Sequence, residues 1–280
     1  MSTVTDERPP APIDTGIDGG DRPRPVRGRA LWVIFGSLLL VIGLWWGTYN
    51  VVELIAHEER TERFTVPAAQ LTRLAVDNES GSVTIVGVDT DEITVEAEIS
   101  EGLRRTGFER QVVDSTLQLR GSCPVIGSMW CRVTYHIEVP RHLDVDVDVD
   151  NDTVNVRQVD GAVVIDTNNG GVDLAEIAGP VVVEGDNGGI VGTALSSPRV
   201  DIDTNNGRIE LAFADAPERI EASGDNGSIE IVVPAVEGGY HVTVDTDNGD
   251  DDLSGVANNP QSSRTITAET NNGNVRVSSP

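Results

Sequence analysis

Val163-Val-Ile-Asp-Thr-Asn-Asn-Gly-Gly-Val-Asp-Leu174 is the stretch on which the architecture of this chain turns. Apolar side chains at 163, 165, 172 and 174 stand at every second position, alternating with polar ones except at Val164, the period-two signature of β-strands on both sides of a turn. The reversal is Asn-Asn-Gly, residue types that suit tight turns.

The pattern recurs along the C-terminal half. With the Asn of each Asn-Gly turn (Asn-Asp in the first) as marker, the series is Asn151, Asn169, Asn187, Asn206, Asn226, Asn248 and Asn272, at intervals of 18, 18, 19, 20, 22 and 24 residues. Four residues before the marker stand Val147, Ile165, Val183, Ile202, Ala222, Val244 and Ala268. Three after it stand Val154, Val172, Ile190, Ile209, Ile229, Asp251 and Val275, and five after it Val156, Leu174, Gly192, Leu211, Ile231, Leu253 and Val277. Only Asp251 and Gly192 break the apolar columns.

One strand-turn-strand unit cannot bury its apolar face alone, so such repeats are expected to stack. The expected fold is all-β: a β-solenoid, a β-helix- or β-roll-like pile of 18–24-residue two-strand repeats, with the Asn column forming a hydrogen-bonded ladder. The competing arrangement is an antiparallel sandwich of hairpins, which Asn-Gly between alternating strands also signals. Agreement of the columns across all repeats, turn included, favours the stack.

Two outward columns are polar. Three residues before the marker stand Asp148, Asp166, Glu184, Asp203, Ser223, Asp245 and Glu269, and one before it Asp150, Asn168, Asp186, Asn205, Asp225, Asp247 and Asn271. The second column suits turn capping by Asx side chains. In the first, stacking places like charges about 5 Å apart at a cost of roughly 1 kcal/mol per pair in water. A solvated face that resists aggregation explains it most simply. The functional alternative is a rack of oxygen ligands for Ca²⁺, with Asp148, Asp166, Glu184, Asp203, Asp245 and Glu269 as candidates. Neither the calcium-binding Gly-Gly-x-Gly-x-Asp nonapeptide nor EF-hand spacing is present, and no cofactor is expected.

Upstream the chain changes character. Residues 1–29 form a proline-rich polar arm, expected to be disordered. Residues 30–49 (ALWVIFGSLLLVIGLWWGTY) carry no charge, the length of a bilayer span, and 30–52 is assigned as a transmembrane helix. Trp45, Trp46 and Tyr49 sit at one end as an interfacial belt. Arg22, Arg24, Arg27 and Arg29 precede the span while Glu53, Glu58 and Glu59 follow it, placing the N-terminus in the cytoplasm and the C-terminal domain outside the cell membrane. No small-x-small motif follows, so an uncleaved anchor is expected. Residues 53–65 read as a polar stalk and 66–142 as an N-terminal β region with strands at 93–99, 116–119 and 133–139 and a short helix at 103–113. The acidic repeats fill 143–280.

Val76-Asp-Asn-Glu-Ser-Gly-Ser-Val-Thr-Ile-Val, Tyr-His-Ile-Glu-Val-Pro at 135–140, and the Thr-Asn-Asn-Gly and Gly-Asp-Asn-Gly repeats resemble the bacterial putative-adhesin β-strand-repeat family, over roughly 66–280. The resemblance implies a surface-facing, non-enzymatic domain and supplies no catalytic residues.

Composition narrows function further. A net charge of −26, with twenty Arg and no Lys, excludes a general nucleic-acid binder. The only cysteines, Cys123 and Cys131, are expected to form a structural disulfide, and His57, His136, His142 and His241 show no zinc-ligand spacing to them. No Gly-x-Ser-x-Gly, Walker A or His-Glu-x-x-His motif occurs. The expected function is a membrane-anchored envelope interaction module that binds a cell-wall polymer or envelope protein. The alternatives are an accessory sensor of envelope stress and a carbohydrate-active solenoid enzyme. Connections at 157–162, 175–180, 193–199, 212–219, 232–241 and 254–265 lengthen along the chain, and Phe213, Val233, Val236 and Tyr240 within them form a candidate partner-binding patch.

Overall fold

The computed structural model describes residues 29–55, 57–124 and 130–279, so the arm lies outside the described residues apart from Arg29. The chain divides into two compact units, Met1–Asn50 and Val51–Pro280. Helix α1 runs from Arg29 to Ile55. Its stretch Trp32–Val52 is long and apolar enough to cross a membrane and is nowhere buried by protein. Two polar side chains near its end are satisfied inside the helix: Thr48 Oγ1 donates to the Leu44 carbonyl (2.7 Å) and Asn50 Nδ2 to that of Trp46 (2.6 Å). Such i−4 back-bonding satisfies a polar side chain without a partner outside its own helix.

The second unit opens with β1 (Glu58–Pro67), β2 (Arg73–Asn78), β3 (Val83–Val88), β4 (Glu92–Glu101), β5 (Gly107–Val113), β6 (Thr116–Ser122) and β7 (Arg132–Pro140). Seven strand-turn-strand rungs follow. They are β8 (Asp144–Asn151) with β9 (Val154–Arg157), β10 (Val163–Asn169) with β11 (Val172–Ala175), and β12 (Val181–Asn187) with β13 (Ile190–Leu195). Next come β14 (Arg199–Asn206) with β15 (Ile209–Phe213), and β16 (Arg219–Asn226) with β17 (Ile229–Val232). The last two are β18 (His241–Asn248) with β19 (Asp251–Ser254), and β20 (Thr265–Asn272) with β21 (Val275–Ser278).

Two expectations are corrected here. The supposed stalk holds the last turn of α1 and most of β1, which pairs antiparallel with β4 along its whole length. The supposed helix at 103–113 contains β5, antiparallel to β6, because Phe108 turns into the core region while the rest of the strand stays exposed on the sheet edge.

The first strand of each rung joins a ten-stranded sheet and the second an eleven-stranded one. Strands flanking an Asn-Gly turn therefore do not pair with each other as a hairpin would. Each pairs in parallel with its equivalent in the neighbouring rung, so Ile165 faces Val147 on one side and Val183 on the other. Both sheets are mixed, since the antiparallel pairs β1–β4, β4–β7 and β5–β6 lie at the N-terminal end. One hydrophobic core, from Ala68 to Val277, is shared by both sheets.

Close stacking explains the turn glycines. A Cβ on Gly227 would lie 1.8 Å from the Gly207 carbonyl oxygen, and one on Gly207 1.9 Å from that of Gly188. Crowding between rungs excludes a side chain at Gly207, and at Gly227 a φ of 154° adds to it; the paired positive φ of a type I′ hairpin is absent.

Rung order in space departs from order in sequence at both ends. The β2/β3 pair lies between β6/β7 and β8/β9, and the last rung, β20/β21, is inserted between β16/β17 and β18/β19. The sixth rung is thus the terminal layer. This accounts for Asp251, which is exposed at the open end with Val244 and Leu253 only partly covered. Gly192 has a separate cause: the strand bulges, and Leu195, fully buried, occupies the space with Cδ1 2.7 Å from where a Gly192 Cβ would stand.

Candidate functional site: the outward face of the ten-stranded sheet

The marker asparagines form one continuous ladder. Side-chain amide nitrogens donate from Asn169 to Asn151, Asn187 to Asn169, Asn206 to Asn187, Asn226 to Asn206, Asn272 to Asn226 and Asn248 to Asn272, at 3.5, 3.2, 3.1, 3.1, 3.0 and 3.1 Å. Asn151 closes the series on the Glu79 carbonyl (3.1 Å). Every donor points the same way along the stack.

Beside it runs the Asx column. In spatial order it reads Asp150, Asn168, Asp186, Asn205, Asp225, Asn271, Asp247, a strict alternation of acid and amide that the sequence order hides. Asn168 donates to Asp150 (2.6 Å), Asn205 to Asp186 (2.6 Å) and Asn271 to Asp225 (2.8 Å). Alternation doubles the spacing between carboxylates to about 10 Å, one Debye length at physiological salt, where repulsion is largely screened.

The candidate acids Asp148, Asp166, Glu184, Asp203, Glu269 and Asp245 stand in a third column, in that spatial order with Ser223 between Asp203 and Glu269. Here acids follow one another without amides. Asp77 extends the row next to Asp148, Arg120 follows with an ion pair to Asp77 at 3.1 Å, and Glu109 on the edge strand β5 stands beyond it. Ser223 donates to Asp203 at 2.7 Å. The Asp148 carboxyl titrates above its ordinary range, first because it is partly desolvated and then because Asp166, Asp77, Asp150 and Asp146 repel its charge. Three depressions follow this face, one around Asp77, Arg120 and Asp148, one around Glu184 and Asp203, and one around Asp225, Asp245 and Glu269. Side chains in one column point the same way and do not converge, so among the described residues no three His, Cys, Asp or Glu groups come together as a metal site.

The proposed partner patch is corrected. Phe213 (8% exposed), Val233 (0%) and Tyr240 (1%) are core residues, and Val236 packs against that core. Phe213 is the last residue of β15, Val233 and Tyr240 turn inward from the connection that follows β17, and Tyr240 donates its hydroxyl to the Pro234 carbonyl at 2.8 Å. Cys123 and Cys131 are joined in a disulfide, their Cα atoms 5.7 Å apart. What the columns alone missed is Arg120 and the acid–amide alternation, which becomes legible once the last two rungs are exchanged.

No protein-family model matches the chain, and no curated protein matches it. Among solved structures it is similar to a putative cell adhesion protein from Clostridium sporogenes, at 14% identity and a TM-score of 0.41, covering 80% of this chain and 100% of that one. It is similar to a putative adhesin from Bacteroides fragilis at 13% identity and a TM-score of 0.47, covering 79% and 97%. A putative lipid binding protein from Parabacteroides distasonis is similar at 10% identity and a TM-score of 0.39, covering 80% and 97%.

Proposed function

We propose that this chain is a single-pass membrane protein, N-terminus cytoplasmic, that displays a β-solenoid outside the cell as a non-enzymatic, adhesin-like interaction module. The observation that carries the reading is the stapled outward face. An amide ladder and alternating Asp–Asn rungs fix the neighbouring acidic column in register over seven rungs. Side chains so held have already lost much of the freedom that a binding event would otherwise have to remove. A regular rack of carboxylates along an extended sheet suits a repetitive or cationic envelope partner, such as a wall polymer or an envelope protein. The uncovered apolar surface of α1 supports the anchor, because exposing such a face to water is unfavourable by about 25 cal/mol per Å².

The test is retention of envelope components on the immobilised full chain in detergent, with and without calcium. The wild type is compared with a variant carrying Asp166→Asn, Asp203→Asn and Glu269→Gln. Loss of a retained wall polymer or envelope protein in the variant is the expected result. Equal retention by both proteins sinks the assignment of this face.

A further inference from the structure

We propose that Asn248–Gly249 is a self-modification site, at which the chain deamidates spontaneously while its other Asn–Gly turns are protected. The chemistry needs no partner but water. The Gly249 backbone nitrogen, losing its proton to solvent, attacks Cγ of Asn248; the Cγ–Nδ2 bond breaks and ammonia leaves, closing a succinimide. Water then opens the ring at either carbonyl, leaving an aspartyl or an isoaspartyl residue at position 248. Two conditions govern the rate: the following amide must be free to act as nucleophile, and the side-chain carboxamide must be free to turn toward it.

Six Asn–Gly pairs occur in the repeats, and five fail both conditions. The amides of Gly170, Gly188, Gly207, Gly227 and Gly273 donate to the Asn carbonyls of the next rung, at 2.9, 2.9, 3.0, 2.9 and 3.0 Å. Their preceding asparagines are held in the ladder on both the nitrogen and the oxygen. Gly249 lies on the terminal rung, where among the described residues no further strand pairs and its amide finds no acceptor. It is exposed, whereas the other five glycines are half-buried. Among the described residues the Asn248 side chain is held through its nitrogen alone, which donates to the Asn271 backbone carbonyl at 3.3 Å and to Asn272 Oδ1 at 3.1 Å. The rung inserted out of sequence is what protects Asn272 and leaves Asn248 at the edge.

Modification has a structural consequence. A carboxylate cannot donate to Asn272, and it adds charge to a rung already carrying Asp245, Asp247, Asp250, Asp251 and Asp252. The isoaspartyl product also lengthens the backbone at the turn, so the outermost layer loses register first.

The experiment incubates the full chain in detergent at mildly alkaline pH and follows all six sites by peptide mass mapping, folded and in urea. In the folded protein, position 248 should convert at least roughly tenfold faster than any other Asn–Gly pair, the factor that one to two lost hydrogen bonds supply. In urea the six rates should converge. The proposal is overturned if Asn272 or an interior site leads in the folded protein, if position 248 is protected like the rest, or if its lead persists in urea, which would assign the selectivity to local sequence.

Discussion

Asn271 donates its side-chain amide to the carboxylate of Asp225 at 2.8 Å, although 46 residues separate them and Asp247 lies between them in sequence. The contact exists because the seventh rung enters the stack ahead of the sixth. Direct stacking of the sixth rung on the fifth would instead place Asp247 beside Asp225 and press Asp251 against Ile229.

Asn271→Asp should therefore destabilise the protein by about 1–3 kcal/mol, combining a lost charge-assisted hydrogen bond with like charges on both sides. The effect should shrink at high salt, because exposed repulsion is screened. Asp247→Asn at the open end relieves charge instead and should leave stability unchanged or raised. Urea midpoints at low and high salt check the pair of variants; a salt-independent loss for Asn271→Asp would point to packing, not charge.

Asp148 makes a prediction about pH. Its carboxyl titrates above the ordinary range in the folded state, so between the ordinary value and the raised one the folded chain binds more protons than the unfolded chain. Stability from this group falls as pH rises through that window, and at neutral pH the ionised side chain is a net cost. Asp148→Asn should stabilise by no more than about 1 kcal/mol at neutral pH, one like-charge contact in water. The gain should vanish in acid, where Asp148 is protonated in both states. Denaturation midpoints of variant and wild type across that range check it; a variant less stable at neutral pH would refute the sign.

The repeat, its inward columns and the Asn ladder were legible in the sequence because each depends on one residue type at one spacing. Rung order was not, since neighbour choice depends on contacts between distant segments; Asp251 was the visible clue, and it read as a defect until its place at the stack end was known. The edge strands β1 and β5 were missed for a related reason. Glu58-Glu-Arg-Thr-Glu-Arg has too few apolar residues to announce a strand, and β1 is held by its ladder to β4, including Arg63–Glu96 at 2.6 Å. Tyr240 and Val233 were misread as surface because loops are usually polar, whereas both side chains are buried in the core.

Inside and outside can be separated at adjacent positions. Ile209 is fully buried, and Ile209→Asp places a charge in the core without a partner, which should prevent folding or cost more than about 4 kcal/mol. Arg208 is exposed and paired with Glu210 at 2.8 Å, so Arg208→Asp should cost less than about 1 kcal/mol. Leu195→Ala, which empties the space facing Gly192, should fall between them at about 2–4 kcal/mol. Equal effects at 208 and 209 would contradict the inward assignment.

Topology is open to a direct measurement. The arginines before the span should retain residues 1–29 in the cytoplasm. Protease added to intact, wall-stripped cells should remove the repeats and spare the arm; protected repeats would reverse the orientation.

The inserted rung gives the sharpest test of the fold. Glu221 on β16 faces Thr267 on β20, and Thr243 on β18 faces Thr267 from the other side. Parallel neighbours stand about 4.8 Å apart, whereas Glu221 and Thr243, two rungs apart, are separated by about twice that. Cα separations beyond about 7 Å cannot be bridged without backbone movement. The double variant Glu221→Cys with Thr267→Cys should therefore form a disulfide on oxidation, as should Thr243→Cys with Thr267→Cys. Glu221→Cys with Thr243→Cys should keep both added thiols free in the folded protein. All three positions point outward, so substitution disturbs no core residue, and thiol labelling after oxidation reads the outcome while the native Cys123–Cys131 bridge serves as internal reference. Bridging between positions 221 and 243 in place of 221 and 267 would mean that the rungs stack in the order of the sequence. The acid–amide alternation of the Asx column would then be lost, and Asp225 and Asp247 would have to face each other without Asn271 between them.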